Sequence, residues 1–316
     1  MLNRLRALLR DDTAGDPMGR RGLWTGKRLR TISRELAQLG LRVCPNTVRR
    51  LLAELHYGLH ANHKSLCANS SPHRDQQFGY LSYQRQEFSQ KGYPIISVDS
   101  KKKELVGQFK NNGQVWSRRP IRVQDHDFRS QADGLVTPYG IYDVQANRGL
   151  VMLGTSHDTP LFAVEAIGQW WRRQGRQRYP QAPELLILAD GGGSNGPRCR
   201  AWKLALQEQL ADHFGLAVTV CHYPTGASKW NPVEHRLFSE ISKHWAGQPL
   251  TDLPTIVRLI DETQTQTGLR VKGILHSKYY PTKTSVSAAQ MQSLDLLKHS
   301  VLPEWNYTLF PRLNRN

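Results

Sequence analysis

The stretch Glu184-Leu185-Leu186-Ile187-Leu188-Ala189-Asp190 constrains the fold of this chain more than any other. An apolar run closed by an acid and followed by Gly191-Gly192-Gly193-Ser194-Asn195-Gly196 reads as a buried strand ending in a turn. Pro94-Ile95-Ile96-Ser97-Val98-Asp99 repeats the theme, again apolar and again ending on an acid. Between the two, residues 139–144 and 150–154 flank Asn147-Arg148-Gly149 in the pattern of an antiparallel hairpin. A helix starts at Thr159 and carries Phe162, Val164, Ile167, Trp170 and Trp171 towards Gly175. Another spans residues 198–214 with Trp202, Leu206 and Leu210 on one face, and residues 216–221 form a further strand. Strand, hairpin, helix, strand, helix, strand, helix is the order of a mixed sheet flanked by helices, an α/β fold.

The last helix of that series opens at Asn231-Pro232-Val233-Glu234. Asn231 is a favoured N-cap, Pro232 suits the first helical position because its missing N–H is an orphan there, and Glu234 falls in the first turn. Val233, Leu237, Ile241 and either Phe238 or Trp245 recur at helical spacing, so one face can seat the helix on a core. Taken alone, Glu234 is equally a capping-box residue that stabilises its helix and does nothing else.

With 316 residues the chain has room for about two domains. Its net charge of +17 favours a polyanionic partner, since clustered Lys and Arg gain affinity by releasing counterions from phosphates, although ribosomal-type and membrane-surface proteins share the property. Residues 1–26 are basic and broken by Gly and Pro, which predicts a short helix at most, followed by loop. Leu29, Ile32, Leu36 and Leu39 then form a helical stripe stopped by Gly40, and Val48, Leu51, Leu52 and Leu55 form a second, opened by Cys44-Pro45-Asn46. This is a helix-turn-helix pattern, with Asn46, Thr47, Arg49 and Arg50 placed to meet DNA; a plain helical hairpin has the same stripes. The four cysteines have no metal-ligand spacing and read as buried thiols. No apolar run approaches the ~20 residues of a membrane span and no signal peptide is legible, so the expected location is cytoplasmic.

Asp99 and Asp190 close strands, and ligands of open α/β sheets collect outside the carboxyl ends of strands. If the last helix brings Glu234 to the same place, three carboxylates repel one another unless cations bind between them. Hard divalent cations, Mg²⁺ or Mn²⁺, meet that need, and two of them held roughly 3.5–4 Å apart support in-line phosphodiester displacement without a nucleophilic side chain.

The order Asp99, Asp190, Glu234 on this series resembles the ribonuclease-H-like catalytic domain of DDE transposases and integrases, and Asn231-Pro232-Val233-Glu234 is similar to the Asn-Pro-Ile-Glu signature of the mariner-like branch. Longer blocks resemble bacterial ISAzo-type insertion-sequence transposases: residues 98–107, 138–143, 157–159, 190–196, 228–231, 234–238 and 305–308. The resemblance implies a ribonuclease-H-like mixed sheet with a small helix-turn-helix domain, and metal-dependent cleavage and strand transfer at terminal inverted repeats. By the same resemblance Asp99, Asp190 and Glu234 are the catalytic, metal-holding residues for two Mg²⁺ ions, with Mn²⁺ as substitute. Double-stranded DNA is the expected partner, bound by a homodimer or larger assembly. Lys101, Lys102, Lys103, Lys229 and His235 are further candidate phosphate contacts; the lysine run is equally a solvated sheet edge, and the other two equally ordinary surface residues.

The division expected is a basic lead (1–26), a helix-turn-helix region with linker (27–77), the catalytic domain (78–248) and a C-terminal extension packed on it (249–316). Two other readings fit the same residues: a DNA-binding protein derived from a truncated, inactive transposase, and a ribonuclease-H-like nuclease without strand transfer. The glycines after Asp190 lack the pattern of a nucleotide-phosphate loop and instead permit close approach of a DNA backbone. Asp143 and Asp158 read as structural acids, Asp158 also as a supporting residue behind the ligands.

Overall fold

The computed structural model describes residues 1–9, 13–14, 24–59, 72–227 and 230–312. It divides into two units, Met1–Leu66 and Cys67–Asn316. The first is built on apolar stripes: α1 (Leu2–Leu9), α2 (Leu29–Gln38) and α3 (Pro45–Glu54) bury Leu5, Leu9, Ile32, Leu36, Val48 and Leu51 in one cluster. Two-residue strands β1 (Thr13–Ala14) and β2 (Trp24–Thr25) pair antiparallel between α1 and α2. Gly40, at φ +80°, turns the chain out of α2 while the Leu41 N–H donates back to the Leu36 carbonyl, the usual glycine termination of a helix. The α1 stripe therefore shares a core with α2 and α3, although its residues lie in what the sequence presents as a basic lead. Leu39, at the end of the first stripe, is 48% exposed and takes no part in that core.

In the second unit α4 (Arg74–Gln90) leads into β3 (Ile95–Ser100), β4 (Glu104–Val106), β5 (Gly134–Asp143) and β6 (Arg148–Gly154). Helix α5 (Pro160–Trp170) continues through wide π turns at Trp171–Gly175 into a last turn, α6 (Arg176–Arg178). Then come β7 (Glu184–Ala189), α7 (Arg200–Leu206) with a π segment at Gln207–Asp212, and β8 (Ala217–His222). A π segment at Val233–Phe238 runs into α8 (Ser239–His244), followed by α9 (Leu253–Asp261), β9 (Arg270–His276), α10 (Ala288–Gln292), β10 (Leu296–Lys298) and β11 (Asn306–Leu309).

Among the described residues the strands form a nine-stranded mixed sheet in the order β10-β11-β8-β7-β3-β5-β6-β9, with β4 on β5. β3, β7 and β8 are parallel and β5 runs against β3 and β6. This centre, a hairpin beside three parallel strands with helices on both faces, is the ribonuclease-H-like arrangement. On one face Ile96, Val98 and Ile187 pack under Trp170 and Trp202, which are wholly buried, as their helical stripes predict. On the other, Val233, Leu237, Phe238, Ile241 and Trp245 pack with Val151, Leu153 and α9 over one half of the sheet, and α4 covers Ile95, Leu186 and Leu188 over the other.

The residues after 249 contribute sheet edges that the sequence does not announce. β9 adds to β6 in parallel, and β11 adds to β8 through Asn306-Tyr307-Thr308-Leu309. In β11 polar side chains take the place of an apolar pattern: the amides of Asn306 and Gln77 exchange hydrogen bonds of 2.7 and 2.8 Å. Of the cysteines expected to be buried, Cys221 is, Cys199 is half-buried and Cys44 is exposed at the start of α3; Cys67 lies outside the described residues. Among the described residues no helix is long and apolar enough to cross a membrane.

Candidate active site

Register brings the first two acids together. β3 and β7 run parallel with Val98 opposite Ala189, so Asp99, still within β3, and Asp190, the first residue past β7, follow at the same edge of the sheet. Neighbouring strands lie about 4.8 Å apart, which places the two carboxylates side by side. Asp99 Oδ1 accepts the Ser100 N–H at 2.7 Å, and Asp190 Oδ1 accepts the Gly192 N–H at 3.3 Å. Beyond Asp190 the chain turns through exposed Gly191, Gly192 and Gly193, the last at φ +60°. Buried Asn195 and His222 then tie the loop down: Tyr139 donates its hydroxyl to Asn195 Oδ1 at 2.9 Å, and His222 Nε2 lies 2.8 Å from the Asn195 carbonyl.

Glu234 arrives on the helix that starts at Pro232. Its seat is shaped by glycine: a Cβ on Gly140 would lie 2.6 Å from the Phe238 ring, and one on Gly149 would collide with Leu237. The bare backbone of β5 and β6 therefore lets this helix press onto the sheet beside Asp99. Asn231 does not cap it as the sequence suggests. Its amide, wholly buried, bridges to β3 instead, Ser97 Oγ lying 2.5 Å from Oδ1 and Asp99 Oδ2 3.4 Å from Nδ2. Ser97 Oγ supplies the missing cap by accepting the Val233 N–H at 3.1 Å. The turns at Val233–Phe238 are of the wide π type, which is frequent at functional sites.

The charges of the acids act on one another. Burial and then the charge of Asp190, with Glu234 and Asp158 behind them, push the Asp99 carboxyl from its ordinary 3.8 up to about 8, against the Ser100 N–H, which lowers it. Burial also raises Asp190, with Glu234 and Asp158 adding to the shift and the Gly192 N–H opposing it. Asp158 comes from a third direction, the turn between β6 and α5. β6 is antiparallel to β5 and so parallel to β3, which brings that turn to the same edge of the sheet. Thr159 caps α5, and among the described residues Asp158 Oδ1, which is buried, has no hydrogen-bond partner.

Asp143 gives the contrast. Also buried, it is paired with Arg178 at 3.1 Å and accepts the Tyr179 hydroxyl at 2.9 Å, the treatment a structural carboxylate receives. Among the described residues no Lys, Arg or His forms an ion pair with Asp99, Asp190 or Glu234. Nor are three His, Cys, Asp or Glu side chains drawn together there as a closed set of metal ligands. The donor set is nonetheless that of a hard divalent cation: carboxylate oxygens only, mutually repelling, unneutralised, with one buried oxygen orphaned.

Of the other expected contacts, Lys101 is already engaged by Glu104 and lies over the Trp245 ring, whereas Lys102, Lys103 and His235 are exposed. Lys229 lies outside the described residues. In the first unit Asn46, Arg49 and Arg50 project outward from α3, and Thr47 is half-buried with its hydroxyl 3.3 Å from Cys44 Sγ. That unit also has an open groove of about 510 Å³ lined by Arg30, Arg34 and Arg42, which sequence spacing alone does not bring together.

Fold and site together define a ribonuclease-H-like sheet with Asp99 and Asp190 at its carboxyl edge. The model of the family described as "Rhodopirellula transposase DDE domain" matches residues 4–311, and the chain belongs to that family. Curated proteins give no match. Among solved structures the chain is similar to the Mos1 transposase paired-end complex with left transposon end, at 15% identity and TM-score 0.44, covering 83% of this chain and 70% of that one. It is similar too to the Mos1 mariner paired end complex with Mn, at 14% identity and TM-score 0.44, over 83% and 70%.

Proposed function

We propose that this protein is an insertion-sequence transposase that cleaves DNA at terminal inverted repeats and transfers the freed strand into target DNA. Asp99, Asp190 and Glu234 are the residues that would hold two divalent cations, Mg²⁺ or Mn²⁺. Bound there, such ions activate a water or 3′-hydroxyl and neutralise the leaving oxygen of an in-line displacement. The observation that carries this reading is the shared sheet edge of Asp99 and Asp190, half-buried and without a cationic partner among the described residues, in a chain of net charge +17 that belongs to a transposase family.

The residues of the chain supply the rest. Asp99 must give up its proton for the site to load, so loading releases protons and favours higher pH. The exposed glycines after Asp190 leave the site open to a phosphate backbone on that side. Asn46, Thr47, Arg49 and Arg50 on α3 are assigned to the terminal repeats, and Lys102, Lys103, Lys229 and His235 to phosphates near the acids. Lys101, held by Glu104, is assigned to the same surface in a supporting place. A homodimer or larger assembly on DNA would let two ends be joined.

Labelled end DNA tests the proposal. With Mg²⁺ the wild-type protein should nick it and yield joined products with a target duplex, while D99A, D190A and E234A bind the DNA and do neither. Nicking without joining would assign a nuclease instead. Salt-sensitive binding with no turnover in the wild type would assign a DNA-binding protein derived from a transposase.

A further inference from the structure

A relay of three hydrogen bonds runs through Asn231 and Ser97. The Val233 backbone N–H can only donate, so Ser97 Oγ accepts there at 3.1 Å and must spend its own hydrogen elsewhere. It donates to the carbonyl oxygen of the Asn231 amide, Oδ1, at 2.5 Å. Nδ2 then faces Asp99 Oδ2 at 3.4 Å as donor. The relay thus runs Val233 N–H to Ser97, Ser97 to Asn231, Asn231 to Asp99. It ties the first turn of the Glu234 helix to the strand that carries Asp99.

We propose that Asn231 is a positioning residue for the metal-holding acids, its amide orienting Asp99 and, through Ser97, setting that orientation in register with Glu234. This rests on the reading of Asp99 and Glu234 as the residues that hold the ions. Three features favour the role over simple packing. The side chain of Asn231 is wholly buried, yet it caps no helix and its polar atoms are directed at the strand bearing the acid. Ser97 and Asp99 share one face of β3, so a single amide reaches both. An amide N–H favours the ionised carboxylate without adding charge, which suits a site already crowded with acids. The 3.4 Å contact is long, so it fixes a direction more than it binds, and a tightening on loading is expected.

The test is Mn²⁺ binding to the full-length, DNA-free protein, read from the free-Mn²⁺ signal in electron paramagnetic resonance. D99A should lose the site; if D99A binds like wild type, the assignment of the acids fails and Asn231 has nothing to position. If D99A loses binding, N231A should weaken Mn²⁺ affinity about tenfold, as removal of an outer-shell partner typically does, with end-DNA binding in the absence of metal unchanged. Cleavage by N231A should recover towards the wild-type rate as Mn²⁺ is raised, which a general loss of structure would not allow. S97A leaves the amide in place but frees it to rotate, and a smaller loss of about threefold is expected. Wild-type Mn²⁺ affinity in folded N231A overturns the inference. If N231A does not fold, S97A decides alone, and wild-type affinity there overturns it.

Discussion

Phe238 lies directly on Gly140, its ring occupying the space where any other residue would carry a Cβ. The glycine is in the middle of β5, opposite Asp99, and the phenylalanine is one turn past Glu234. The distance between a carboxylate on a strand and one on a helix is thus governed by the absence of a side chain. G140A should lift the helix from the sheet, at a cost of about 1–3 kcal/mol as for an overpacked core. Urea denaturation reads the stability. DNA cleavage by the folded protein should fall further than in an equally destabilised variant remote from the site.

The raised Asp99 carboxyl makes stability depend on pH in a defined direction. Its pKa is near 3.8 when unfolded and about 8 when folded, so the protonated form is the one folding favours. The contribution is full below pH 4 and is lost as pH rises through 8. Metal-free protein should therefore melt at a lower temperature at pH 8 than at pH 5, D99N should flatten the difference, and Mg²⁺ should raise the melting temperature more at pH 8. Differential scanning calorimetry at the two pH values, with and without Mg²⁺, checks all three.

Asp158 contributes negative charge to Asp99 and Asp190, and among the described residues its buried Oδ1 has no hydrogen-bond partner. D158N should raise the metal-free melting temperature at pH 8 by relieving repulsion, and should weaken Mn²⁺ binding about tenfold, as loss of a supporting carboxylate does. Titration of D158N with Mn²⁺ measures the second effect. Wild-type affinity would make Asp158 a structural acid, as its sequence position suggests.

In the N-terminal unit, Arg49 and Arg50 on α3 and Arg30, Arg34 and Arg42 around the groove are exposed. Each arginine that meets a phosphate should, when replaced by Ala, reduce the slope of log K against log salt by about 1. N46A should instead change discrimination between end and random DNA. Fluorescence anisotropy over a range of salt concentrations separates the two kinds of residue.

Much of this site is legible in the sequence because its main signals are local. An apolar run that ends on Asp99 or Asp190 announces a buried strand and its exposed end, and the spacing of Val233, Leu237 and Ile241 announces which face of the last helix is buried. What stays hidden depends on pairing across distance. Asn231 looks like a cap until Ser97, far away in sequence, takes the capping role and frees its amide for Asp99. Asp158 reads as a structural acid, although among the described residues its buried Oδ1 has no hydrogen-bond partner. The late strands β9 and β11 carry too little apolar alternation to be recognised, and Gly140 gives no sign on its own that Phe238 will lie on it.

The central claim is that Asp99, Asp190 and Glu234 hold the same ions. Anomalous diffraction from crystals grown with Mn²⁺ and end DNA tests it most directly. The account predicts Mn²⁺ peaks roughly 3.5–4 Å apart, with Asp99 and Asp190 as ligands and Glu234 bound to at least one of them. Peaks elsewhere, or a Glu234 carboxylate turned into its own helix while the aspartates hold the metal, would contradict it.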